Sequence, residues 1–200
     1  MKRLILPILS VWTLSLGSNS VFAVNGKITV NGAVTNGTCT IQPQLGVGSG
    51  IKDIIIPLKA ITKSSFTPTN TSQGSTNFFL FLVNGTGAYC DVAHNKSFKG
   101  IHLTPISATD LDAMDKTLLV NKATGASGAS VKNPVFIQMF ADHRNVVDFT
   151  APWGVQAKSM IYGDKEDFSF VSYQVEYVSK TGIVDAQNVT ATVNYNIHYN

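Results

Sequence analysis

The last stretch of the chain, Val189-Thr190-Ala191-Thr192-Val193-Asn194-Tyr195-Asn196-Ile197-His198-Tyr199, alternates apolar and polar side chains almost without a break. A period of two is the spacing of an extended strand, whose successive side chains point to opposite sides. Val189, Ala191, Val193, Tyr195, Ile197 and Tyr199 share one face, and the threonines, asparagines and His198 take the other. The eleven residues read as one long strand with a single buried face.

Upstream, Phe168 to Val178 repeats the pattern with Val171, Tyr173, Val175 and Tyr177 on one side, and Ser179 to Asn188, containing Gly182, connects the two strands. Asn77 to Val83 (NFFLFLV) is apolar on both faces, which fits a central strand of a sandwich. Asn84-Gly85 and Gly87 mark a turn before Cys90. Cys39 to Ile41, Lys52 to Ile61, Lys99 to Ile106 and Val135 to Phe140 read as further strands, with Asn145 to Phe149 a candidate partner of the last across a turn at Asp142 to Arg144. Gly46 to Gly50 and Ala123 to Ser130 read as loops, Asp110 to Val120 as one or two helical turns, and Pro152 to Ile161 has no clear period. Strands separated by turn signals, with no long helix, predict an all-β sandwich. A charged fraction of only 14% and abundant Gly, Thr, Asn, Ser and Val agree with strands and turns.

Met1 to Ala23 carries Lys2-Arg3, an apolar run from Leu4 to Leu16 and a close at Val21-Phe22-Ala23, the order of a secretory signal. The run is too short to cross a membrane. Its removal leaves 177 residues, enough for one domain with a real core, and 13 basic residues against 12 acidic ones, so the formal charge falls from +3 to +1. No Lys/Arg cluster remains to displace counterions, which argues against a nucleic-acid partner. Cys39 and Cys90, the two cysteines of a chain sent to an oxidising compartment, read as one disulfide rather than free thiols or a metal site.

Catalytic and metal chemistry find little support. His94, His102, His143 and His198 have no second ligand at zinc spacing and read as surface or turn residues. Asp110, Asp112 and Asp115 lack the glycine and terminal glutamate of a calcium loop, and read as a solvated turn. No serine sits in a Gly-x-Ser-x-Gly elbow, and Asp142-His143-Arg144 is a polar turn. Tyr195 and Tyr199 share a face with Val193 and Ile197, which favours lining a core or trench over stacking on a sugar. No catalytic residue, metal or cofactor is expected.

The start of the processed chain is a geometric anomaly. Val24, Gly26, Ile28, Val30, Gly32 and Val34 share a face, and the extended pattern runs 18 residues to Ile41. At about 3.3 Å each these span roughly 60 Å, while a compact domain of this size is about 40 Å across. The segment either bends at the hairpin dipeptide Asn31-Gly32 or leaves the domain as an arm.

Asn25-Gly26-Lys27-Ile28-Thr29-Val30-Asn31-Gly32, then Val34 and Cys39-Thr40-Ile41, resembles the start of processed pilins of the chaperone-usher family, the structural subunits of type 1-like fimbriae. Phe78-Phe79-Leu80-Phe81-Leu82 before Cys90 and the final strand with its penultimate Tyr199 are similar to that family too, while Gly85 to Tyr89 looks like an insertion. The resemblance implies an incomplete immunoglobulin-like β-sandwich missing its last strand, completed by a donor strand from a neighbouring subunit. It implies residues 1–23 as signal peptide, 24–35 as donor extension and 36–200 as pilin domain. Val24, Gly26, Ile28, Val30 and Gly32 would be the donor positions, and Val189, Ala191, Val193, Tyr195, Ile197 and Tyr199 the acceptor groove and chaperone contact. The implied partners are identical or related pilins in a head-to-tail polymer, a periplasmic chaperone, an outer-membrane usher and a tip adhesin. The implied route runs through the periplasm to a surface fimbrium, with the chain as its major shaft subunit. A minor adaptor or terminator subunit is the alternative, and a self-contained secreted carbohydrate-binding sandwich a weaker one.

Overall fold

The structure, a computed structural model, describes residues 38–43 and 53–200. The signal at 1–23, the extension at 24–35 and the connector at 46–50 lie outside the described residues. Among the described residues the strands are β1 (Cys39–Pro43), β2 (Ser72–Asn84), β3 (Phe98–Pro105), β4 (Leu118–Val120), β5 (Phe136–Phe140), β6 (Phe170–Val178) and β7 (Val193–Tyr199), with one short helix, α1 (Val92–Ser97). One sheet has the order β1-β2-β6-β5-β4, and β3 pairs with β7 in a second. All of these pairings are antiparallel.

Phe78, Leu80 and Leu82 of β2 and Val171, Tyr173 and Val175 of β6 share one core with Phe98, Ile101 and Leu103 of β3. The opposite face of β2 is also apolar, because Phe79 and Phe81 pack on Phe170 at 5.8 and 4.9 Å between ring centroids. Both faces of NFFLFLV are thus in use, and β2 sits between β1 and β6.

A disulfide joins Cys39, the first residue of β1, to Cys90, which precedes α1, with their Cα atoms 6.3 Å apart. It closes a 51-residue interval. Removing it by Cys39→Ala/Cys90→Ala is expected to cost about 2 to 5 kcal/mol. In a thermal melt that is a fall of about 4 to 20 °C in Tm, and an unchanged Tm would show that the bridge adds no stability.

Three expectations are corrected and one is refined. Residues 53–61 keep an inward and outward alternation, with Ile54, Ile56 and Leu58 packed on the core and Ile55 64% exposed. Among the described residues they form no strand, and Pro57 in their middle has no N–H to donate to a ladder. Asp110 to Val120 holds no pair of helical turns: a 3-10 turn at Ala108–Asp110 leads to an Asx turn in which Asp112 Oδ1 accepts from the N–H groups of Met114 and Asp115, and then to β4. Asn145 to Phe149 does pair with β5 across the turn, through the antiparallel Phe140–Val146 bridge and the bonds from Ala141 N–H to Asn145 O and from Val147 N–H to Met139 O, but the pairing is a single bridge rather than a strand. The final strand has seven residues rather than eleven. Thr190 N–H donates to Asn121 Oδ1 and Lys122 N–H to Thr190 O, so the lead-in bonds to residues 121 and 122 instead of to β3.

The turn after β5 holds His143 and Arg144 at φ 57° and 58°, the left-handed region costly for side chains other than glycine. Arg144 Nη1 compensates by donating to Glu176 Oε1 and Gln174 Oε1, both at 2.6 Å. Burial would raise the Glu176 carboxyl, but hydrogen bonds from Arg144 and Ser72 outweigh it and hold the group below its ordinary value. A depressed native pKa contributes stability above the unfolded-state pKa and loses it as pH falls through the native one. Melting temperature is therefore expected to drop as pH is lowered from about 5 to 3, and Glu176→Gln to flatten that acid limb. Equal slopes in the two proteins would contradict the assignment.

Candidate functional site

The feature that sets this sandwich apart is one edge of its smaller sheet. β7 pairs with β3 on one side, and no strand among the described residues lies on the other. The direction of its backbone groups follows from Leu103, which stands opposite Tyr195. Leu103 N–H donates to Gln156 Oε1 at 2.9 Å, and Leu103 O accepts from Gln156 Nε2 at 2.7 Å. Those groups therefore point away from β7, which makes this a non-hydrogen-bonded pair of the ladder. By alternation, the backbone groups of Val193 and Ile197 point away from β3, toward the open edge.

The side chains of the same residues point inward but are incompletely covered. Val189, Ala191, Val193, Tyr195 and Ile197 are partly buried and packed on the main core, as are Ile54, Ile56 and Leu58 from residues 53–61. One observation joins the two segments at the Val189 end, and another brings β1 beside Tyr195 of β7. Thr40 Oγ1 lies 3.5 Å from Tyr195 Oη, and Leu58 and Val189 line a common cavity of about 770 Å³ with Ile61, Phe66, Val135 and Val184. An apolar row packed on the core with a strand edge beside it is a surface on which one further strand would satisfy backbone and side chains together.

Tyr199 has a different setting at the far end of β7. It is 38% exposed, and its ring packs 6.2 Å from Phe98 and 6.1 Å from His94. Of the sequence-derived acceptor positions, Val189, Ala191, Val193, Tyr195 and Ile197 are partly buried on the main core, Val189 also lines the cavity, and Tyr199 stands apart at the end of β7. The donor positions Val24, Gly26, Ile28, Val30 and Gly32 lie outside the described residues.

Three histidines are more than surface or turn residues. His94 is 6% exposed, and its Nδ1 lies 2.9 Å from Oδ1 of Asp91, which also caps α1 by accepting from His94 N–H. His102 Nε2 lies 2.9 Å from Ala151 O. His198 stacks on Trp153 at 3.9 Å and 5° between ring planes, and burial, with His102 and Lys158 nearby, pushes its pKa down. Gln156 and Trp153 had no signal in the sequence, because both act from a loop without a period.

No family model matches the chain. The chain is 26% identical over 183 residues to the F17 fimbrial protein of Escherichia coli, with 91% of each chain covered. Its fold is similar to that in the crystal structure of the P pilus rod subunit PapA, with a TM-score of 0.54 and 18% identity over 87% of this chain and 100% of that one. The fold is the incomplete immunoglobulin-like sandwich anticipated from the sequence.

Proposed function

We propose that this chain is a structural subunit of a chaperone-usher fimbria and polymerises by donor-strand exchange. The observation that carries the reading is the open β7 edge above a row of half-buried apolar side chains spaced two residues apart. Likeness to a fimbrial protein along nearly the whole chain supports a structural subunit, which is not an enzyme. Residues 1–23 serve as the signal and residues 36–200 form the pilin domain. Residues 24–35 are the strand given to the next subunit, in which Val24, Ile28 and Val30 would contribute about 1.5 to 3 kcal/mol each on burial.

Each subunit gives a strand at one end and receives one at the other, so the contact is head-to-tail and generates an open filament. Before assembly the exposed edge needs cover, which a periplasmic chaperone supplies until the usher exchanges it for the next subunit's extension. We assign the chain to the repeating shaft on its likeness to a P pilus rod subunit, with a minor adaptor or terminator subunit as the alternative. Immunogold electron microscopy of cells expressing the gene with its neighbours tests this. Label along the full length of surface fibres is expected; label confined to one end would make it a minor subunit, and its absence from fibres would remove the assignment.

A further inference from the structure

The smaller sheet has two edges, and among the described residues no strand lies along β7 while a loop lies along β3. The outer edge of β3 is occupied by the loop from Ala151 to Lys158, through Gln156 and Trp153. Gln156, 3% exposed, satisfies both backbone groups of Leu103 with its side-chain amide, reproducing the donor and acceptor pair of a neighbouring strand. Its Nε2 also donates to Asp148 O at 2.8 Å. Two residues on, where the alternation brings backbone groups to the same edge, stands Pro105, which has no N–H. Nearer the start of β3, Gly100 takes φ +118° beneath Trp153, and Trp153 is held by its stack on His198. Lys158 Nζ ties the loop to itself by donating to Trp153 O and Gln156 O.

We propose that this loop is an edge plug: the Gln156 amide takes the hydrogen-bonding position that an added strand would need at Leu103, so that the smaller sheet accepts a strand at β7 and not at β3. The inference rests on the donor-strand reading above and extends it to why growth stays linear. An uncovered β3 edge would be a template for pairing with the β3 edge of a second copy, and a subunit with two acceptor edges would give branched or bundled assemblies.

The test uses the full chain carrying Gln156→Met, which keeps the side-chain volume and loses both bonds to Leu103. Hydrogen exchange at the Leu103 amide is expected to be about 10- to 100-fold faster than in wild type at low concentration. As concentration rises, side-by-side association is expected, seen as bundled fibres where wild type gives single ones. The same substitution in an Ile28→Asp chain separates the two ideas. If the plug acts as proposed, that chain still pairs side by side, whatever becomes of strand donation. Where Gln156→Met does not fold, Trp153→Ala removes the stack while leaving the amide, and is expected to give a smaller change of the same sign. Wild-type exchange at Leu103, or faster exchange with no association at any concentration, would overturn the proposal.

Discussion

Chains carrying Ile28→Asp are expected to fold with their chaperone and to accept a strand from an unaltered subunit, yet to give only monomer where wild type gives a ladder of oligomers in unheated detergent gels. The substitution removes an apolar anchor worth about 1.5 to 3 kcal/mol and places a carboxylate against an apolar row without a partner, which costs several kcal/mol more. Since each 1.4 kcal/mol is about tenfold in affinity, the loss exceeds roughly a thousandfold. Deleting residues 24–35 should act in the same way, because it removes donor positions and leaves every described groove residue in place. Long polymers from either chain would show that the extension is not the donor, and would favour its folding back at Asn31-Gly32.

The second large effect concerns the receiving side. Val193 is partly buried on the core and opens β7 opposite Pro105. With Val193→Lys an ammonium must either be desolvated beneath the added strand or push that strand away from the edge, at a cost of several kcal/mol. Capture by the chaperone and incorporation into fibres should both fail, while the extension of the same chain remains able to serve a neighbour. Co-purification with the chaperone is the measurement, and wild-type capture would show that β7 is not the receiving edge. Ile197→Lys provides an independent repeat within the same strand.

What could be read from the sequence was whatever depends on a local period. The inward face of β7 and that of β6 follow from alternation within a single segment, and the disulfide from two cysteines in a secreted chain. What could not be read depends on partners far along the chain. β7 starts at Val193 rather than Val189 because Asn121, 69 residues from Thr190, bonds its lead-in. Ile54 to Leu58 show the alternation of a strand, and Pro57 was the one local sign against a ladder. The Gln156 clamp is the extreme case: one amide acting across 53 residues on a backbone pair leaves no periodic trace.

On the donor-strand proposal, a strand with the sequence of residues 24–35 completes the apolar row along β7. The most direct test of that proposal is to add a synthetic peptide of those residues to monomeric Ile28→Asp chain and record the melting temperature. At a thousandfold excess over its dissociation constant the peptide should stabilise the chain by about 4 kcal/mol, which for a domain of this size is a rise of about 8 to 16 °C, accompanied by slowed amide exchange at Val193 and Ile197. An unchanged melting temperature at saturating peptide, with exchange along β7 as fast as before, would contradict it.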